Sequence, residues 1–305
     1  MDRKTTKYKA VDAVFIAMMI LPLAAAIILK ILTQPAAEGM NITGAIVYFT
    51  IPMPLAELPI TEAQVNSWLV MISIAGLCLY LTHGIKAVPE SRRQHVAEWI
   101  VEKVDALVLD NMGERFTGFS PFIAAIMGIS AFSSLLTLIG VFPPTSDLNI
   151  IAGWAILVFI LITYYKLKGG LWNYVKGFGD PIVFMAPMNV LGEVAIPVSM
   201  TFRHFGNVLS GVVISALVGT ALSGLTAGLP GILGNIPFLK VGIPAVLSLY
   251  FDIFSGLMQA FIFACLTMLN IATGFPEEAY EKRLKRRIDR AKRKAEAKRL
   301  AALEK

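Results

Sequence analysis

PMNVLGEVAIPVSMTFRHFGNVLSG, residues 187–211, is apolar enough to lie in lipid and yet carries Arg203 near its middle. The apolar character continues to Gly224. A guanidinium keeps its charge at any ordinary pH. At the centre of a bilayer that charge costs at least about 2.5–3.5 kcal/mol on insertion scales. A chain that places it there needs a counterpart for it, and the counterpart is where function is to be sought.

Outward from this stretch the chain is built alike. Of its 305 residues, 56% are hydrophobic and 16% charged, against roughly a half and a quarter in soluble domains. The excess lies in continuous runs near the length of a helical span, about 20 residues. In lipid the backbone must satisfy its own hydrogen bonds, which leaves helices or closed barrels. Runs that do not alternate exclude the barrel. The sequence predicts an all-α polytopic membrane protein with about six spans, at 11–32, 65–85, 119–142, 150–165, 181–224 and 241–272. The first run follows Arg3, Lys4, Lys7 and Lys9, as a secretory signal would. Its apolar core outlasts the usual h-region of about 7–15 residues, so a retained span is expected.

Three parts are expected: a basic N-terminus at 1–10, a membrane domain at 11–276 and a basic helical tail at 277–305. The net charge of +6 resides in that tail, where 12 Lys and Arg stand against 6 Asp and Glu. The rest of the chain balances, so nucleic acid is not the partner its basicity implies. Lys and Arg cluster at the N-terminus, at 86–115, at 166–176 and in the tail, and the intervening loops carry almost none. The positive-inside rule then puts both termini in the cytoplasm.

Two segments are too long for upright spans. Residues 181–224 as helix would extend roughly 65 Å across a hydrocarbon core of about 30 Å. That segment must tilt, kink or lie partly along the membrane, with Pro187 and Pro197 as expected kinks. Residues 241–272 are also over-long. Two such tilted helices side by side suit a surface that follows something curved.

Asn189, Glu193, Arg203 and Asn207 share one face of the first long helix, and Ser248, Asp252, Ser255 and Gln259 share one face of the second. The topology puts Asn189 and Glu193 toward the cytoplasm, Arg203 near mid-depth and Asp252 toward the outside. The pattern is a split polar path with a fixed cation between its halves. The bland alternative is an interhelical ion pair of Arg203 with Asp252. Glu193 is about 15 Å from Arg203 along a straight helix, too far to pair. His204 points about 100° away from Arg203 and reads as a packing or hydrogen-bonding residue. Gly256, Ala260 and Ala264 read as a close-packing seam.

Four separated motifs carry a family resemblance. FRHFGN at 202–207 with Gly211, GLMQAFIFACLT at 256–267, PPTSDLN at 143–149, and 89–113 with Glu98, Glu102 and Asn111 appear in order. Together they resemble subunit a of F-type ATP synthases over roughly 65–274. The resemblance implies an ion-translocating subunit of the bacterial cell membrane that works against a rotating ring of c subunits and is held by a peripheral stalk of b subunits. It implies H⁺ or Na⁺ as the ion, Arg203 as the essential arginine, and Asn207 and Gln259 as its polar companions. This chain departs from the pattern at three positions. Asn189 stands where many members have Glu, with Glu193 one turn later as the expected inner carboxylate. Val212 stands where many have Glu or His, which leaves the outer path to Asp252. His204 replaces the more usual Leu.

Other classes find less support. A secondary transporter binding a small anion at Arg203 would be expected to show internal repeats, and none relates the two halves. A protease would need a nucleophile or a metal, but the three His are dispersed and no HExxH occurs. No G-x-x-x-x-G-K-[ST] loop occurs either, so ATP chemistry is expected elsewhere, and neither cofactor nor metal is expected. Cys78 and Cys265 read as small buried hydrophobes. Residues 89–112 predict an amphipathic helix in the cytoplasmic interface, with Val96, Ile100, Val104 and Leu107 on its apolar stripe. The tail reads as a solvated helix, as one that binds anionic lipid headgroups, or as a contact for the peripheral stalk.

Overall fold

A computed structural model describes residues 3–33, 44–54, 57–88, 91–179, 183–227, 246–247, 249–286 and 288. Among them, six helical stretches are long and apolar enough to cross a membrane: Tyr8–Thr33, Glu62–Thr82, Glu114–Ile139, Leu148–Leu167, Ala186–Thr226 and Leu249–Gly274. The expected all-α polytopic architecture is the one observed. Its helices are α1 (Arg3–Thr33), α2 (Glu62–Thr82), α3 (Arg92–Met112), α4 (Ser120–Leu135), α5 (Leu148–Leu167), α6 (Leu171–Gly177), α7 (Ala186–Ala227) and α8 (Gly256–Gly274).

Local chemistry sets the boundaries. The Thr61 and Ser91 hydroxyls accept from the backbone N–H of Gln64 and Gln94 and so cap α2 and α3. Asp147 caps α5 through the Asn149 N–H at 2.9 Å. The α4 span tightens into a 3₁₀ turn, Leu136–Ile139, and stops at Gly140, whose φ of 71° is left-handed.

The helices pack closely where side chains are small. At Gly76 of α2, an added Cβ would lie 2.8 Å from the Met19 backbone nitrogen of α1. Ser73 donates to the Met19 carbonyl beside it. At the other end of this pair, Asp12 accepts from Arg93 of α3 at 3.0 Å and lies 2.8 Å from His83 Nδ1. The main core joins α3, α4, α5, α7 and α8 through Val108, Ile123, Val158, Met200, Phe263 and Met268, among others. The expected seam is present: Gly256, Ala260 and Ala264 are all buried. At Gly256 an added Cβ would meet the Ser134 Cβ at 2.7 Å.

Several expectations are corrected. The polar, Pro-rich segment before α2 contains an antiparallel hairpin, β1 (Val47–Ile51) with β2 (Leu58–Thr61). Pro187 does not kink α7. It sits in the first turn, where a missing N–H costs nothing, and Pro197 alone lies inside the helix. Within the expected loop at 166–180, Lys166 belongs to the last turn of α5, and α6 follows. On α3 the buried seam is Val104, Val108 and Met112, whereas Val96, Trp99 and Ile100 remain exposed. The bundle takes one apolar face and leaves the other for the lipid interface. Cys78 is exposed on α2, and Cys265 is half-buried. The basic start of the chain from Arg3 is continuous with α1. Of the tail, 277–286 is helical and 289–305 lies outside the described residues, as does Ser248.

Candidate functional site

α7 is the longest helix and one of the least covered. In its most apolar window 11% of residues are buried, against 33% for the span at Glu114–Ile139. Its buried side carries Met200, Thr201 and His204, and its open side carries Leu191, Val194, Val198 and Phe202. Arg203 is exposed on the open side. Among the described residues no hydrogen bond or ion pair ties it down. The interhelical pair of Arg203 with Asp252 is therefore not formed.

One turn toward the C-terminal end of α7, Asn207 joins the neighbouring helix. The Ser255 hydroxyl donates to Asn207 Oδ1 at 2.8 Å, and Asn207 Nδ2 donates to the Ser255 carbonyl oxygen at 3.3 Å. A turn beyond, a Cβ on Gly211 would lie 3.0 Å from the Phe251 Cβ. These two contacts fix an antiparallel register. One turn back from Asn207 along α7 and one turn on from Ser255 along α8, Arg203 comes level with Gln259. Gln259 is buried. Asp252 is half-buried and lies about 10 Å along the helix axis from the level of Arg203, on the Asn207 side, in that register. It sits in a π-helical turn, Leu249–Ser255, which precedes α8. Such turns are rare and recur at functional positions.

Toward the N-terminal end of α7, Glu193 is ion-paired with Lys166 of α5. One carboxylate oxygen, Glu193 Oε2, is buried without a hydrogen-bond partner. Pro197 has no N–H to offer the Glu193 carbonyl one turn back, so the helix leaves a second acceptor open there. Asn189 donates to the Phe178 carbonyl oxygen at 2.8 Å. Asn189 and Glu193 line one cavity of about 500 Å³ with Lys166, Tyr174, Gly192 and Pro276, among others. Burial, and then the nearby Glu193 carboxylate, hold the Tyr174 phenol above its ordinary pKa. The cavity thus has polar groups on its wall and one carboxylate oxygen with no hydrogen-bond partner.

His204 meets the packing expectation. It is fully buried between the rings of Trp154 and Phe263, with Nε2 3.3 Å from the Ser130 hydroxyl. The structure thus brings together Asn189 with Glu193, and the Asn207 level with Ser255. It holds Arg203 apart from both carboxylates. Two contributors were not legible as such. Lys166 stands in the sequence only as the first of the basic cluster at 166–176, and its place directly after the fourth apolar run is the signal that could have found it. Ser255 was placed on the polar face, but nothing in its spacing marked it as the partner of Asn207. Among the described residues no cluster of His, Cys, Asp or Glu could hold a metal.

The sequence profile of the family described as ATP synthase A chain matches residues 64–272. The chain is 32% identical to ATP synthase subunit a of Trichlorobacter lovleyi over 224 residues, which cover 72% of this chain and 89% of that protein. It is 28% identical over 280 residues to a protein of Propionigenium modestum named ATP synthase subunit a, sodium ion specific, covering 81% and 89%. It is 29% identical over 224 residues to ATP synthase subunit a 2 of a Bradyrhizobium species, covering 73% and 92%. The family match begins after α1 and the β-hairpin and ends before the tail.

Proposed function

The chain belongs to the ATP synthase A chain family, and from that premise we propose how its residues move an ion. As a member it is a multi-pass, ion-translocating subunit of the F-type ATP synthase membrane sector, and it is not itself catalytic. The finer reading has two half-paths. An ion enters from outside past Asp252, with the Asn207–Ser255 level as its inner limit. It loads a carboxylate on the rotating c-ring, which runs along the open face of α7. After the ring has turned, the ion leaves through the cavity of Glu193 and Asn189 to the cytoplasm.

Arg203 separates the two halves. The observation that carries this reading is its state: a permanent cation within a span, on the open face, with no partner among the described residues. A passing ring carboxylate supplies the missing counter-charge. At 4 Å and an effective dielectric near 20, the attraction is about 4 kcal/mol. That favours the ionised carboxylate and release of its ion, and it is comparable with the driving force of about 2.3 kcal/mol per charge per 100 mV. Arg is suited to the role because, unlike Lys, it does not neutralise on desolvation. Gln259, level with it, offers an amide to orient the guanidinium.

The ion is H⁺ or Na⁺, with the ring's own site choosing between them. Both termini face the cytoplasm of a bacterial cell, which puts the Glu193 cavity, the N-terminus and the tail on one side. The peripheral stalk completes the partners. A groove of about 930 Å³ between α2 and α3, lined by Glu98, Glu102 and Asp105, has the charge to receive a basic stalk segment. The deciding experiment is Arg203→Ala in the assembled synthase. Gradient-driven ATP synthesis is expected to vanish while the complex still assembles, and near-normal synthesis would refute the mechanism.

A further inference from the structure

A second cavity at the inner surface, of about 290 Å³, lies between the end of α5 and the tail helix 277–286. Tyr164, Lys168, Tyr280, Arg283 and Leu284 line it, and it shares no residue with the Glu193 cavity. Two cations face it. Lys168 Nζ stands 4.1 Å from the Tyr165 ring centre and 5.2 Å from that of Tyr164. Arg283 Nη1 donates to the Lys168 carbonyl oxygen at 3.4 Å, which leaves most of its donors unspent. Of the three acids in the tail helix 277–286, Glu277 and Glu281 pair with Arg115 at 3.2 and 3.5 Å, and the exposed Glu278 is not among the residues lining the cavity. Among the described residues neither Lys168 nor Arg283 has an ion pair.

The depth of the cavity identifies its ligand. The α5 span ends at Leu167, so Lys168 stands at the level of lipid headgroups, where Tyr and Lys side chains are favoured. Leu157, Ile160 and Tyr164 are exposed at three- and four-residue spacing. They form one stripe that leads from the cavity down into the hydrocarbon layer. The carbonyl end of α5 disfavours an anion, but it amounts to half a charge against two whole ones.

We propose that this cavity binds the phosphate headgroup of an anionic phospholipid, with an acyl chain lying along Leu157, Ile160 and Tyr164. The Arg283 fork matches a phosphate bidentately, and Lys168 adds a point charge from the other wall. The bound lipid clasps the tail helix to α5. A zwitterionic lipid brings its own cation to a site that already holds two. The inference is independent of the translocation path and requires only the multi-pass architecture.

The test uses the complete synthase in nanodiscs of phosphatidylcholine doped with phosphatidylglycerol carrying a photoreactive acyl chain. Cross-links are expected on the α5 peptide around Leu157 and Ile160. Unlabelled phosphatidylglycerol should compete them away, and phosphatidylcholine and inorganic phosphate should not. Lys168→Gln with Arg283→Gln should weaken labelling by roughly fivefold for each charge removed, and Lys168→Arg, which keeps both charges and the Arg283 fork, should retain it. Arg283→Gln alone gives the same reading if the double variant assembles poorly. Equal labelling by a phosphatidylcholine probe, or labelling indifferent to the variants, overturns the site. Competition by inorganic phosphate would make it a free-phosphate site and likewise overturn the lipid assignment.

Discussion

Asn207 and Ser255 hold α7 and the start of α8 in register by two hydrogen bonds of opposite sense, hydroxyl to amide oxygen at 2.8 Å and amide nitrogen to carbonyl at 3.3 Å. The clasp sits one turn C-terminal to Arg203 on α7 and one turn N-terminal to Gln259 on α8. It therefore sets the level of Gln259 relative to Arg203.

Ser255→Ala removes the hydroxyl donor and leaves Asn207 Oδ1 without it. The expected cost is about 1–3 kcal/mol for a half-buried acceptor. It should appear as a lower thermal midpoint of the membrane sector and reduced ATP synthesis, with Ser255→Thr less affected. A Ser255→Ala synthase matching the parent in both measurements would show that the register does not depend on this bond.

The Lys166–Glu193 pair predicts an asymmetric double-mutant cycle. Their side chains are 18% and 16% exposed, so breaking the pair costs less than the 3–5 kcal/mol of a fully buried one, up to about 3 kcal/mol. Lys166→Gln strands the Glu193 carboxylate, whose Oε2 already lacks a partner. It should lower the amount of subunit recovered in purified synthase. Adding Glu193→Gln should restore recovery but not gradient-driven synthesis. If the double variant assembles no better than the single one, the stranded charge is not the cause.

Asp252 has to be weighed without Val212, which offers the outer path no polar group. Asp252→Asn in vesicles bearing only the membrane sector should slow passive ion uptake several-fold while assembly is preserved. Uptake at the parental rate would remove Asp252 from the path.

His204 follows Arg203 directly and has the opposite expectation. His204→Leu exchanges a fully buried ring for a side chain of similar volume, beside Phe263 and Trp154. The volume is kept, but the buried Ser130 hydroxyl loses its partner, at a cost of about 1–3 kcal/mol. Coupled ATP synthesis should be retained. Loss of coupling in an assembled His204→Leu complex would move this residue from the packing of the bundle into the ion path.

Composition and run length were enough for the six spans and for the over-long α7, because a bilayer imposes one length and one hydrogen-bonding rule on every segment that crosses it. Helical spacing was enough to place Arg203, Asn207, Glu193 and Asn189 on one side of α7. The β-hairpin at Val47–Thr61 was missed because prolines at 52, 54 and 59 dominate its composition, although residues 47–51 have strand character. On α3 the expected stripe and the buried seam share Val104 and part on either side of it, because that helix has two apolar faces and periodicity does not say which one the bundle takes.

By itself the sequence determined an all-helical membrane bundle with a lone arginine in its longest span and polar groups at two depths. Only the tertiary structure decided who meets whom. Glu193 takes Lys166 from α5, Asn207 takes Ser255, His204 goes to the core, and Arg203 is exposed with no partner among the described residues. Intrahelical spacing follows from local geometry and can be read residue by residue. The pairing of one helix with another depends on register and rotation, which here rest on close approaches such as Gly211 to Phe251 and Gly256 to Ser134.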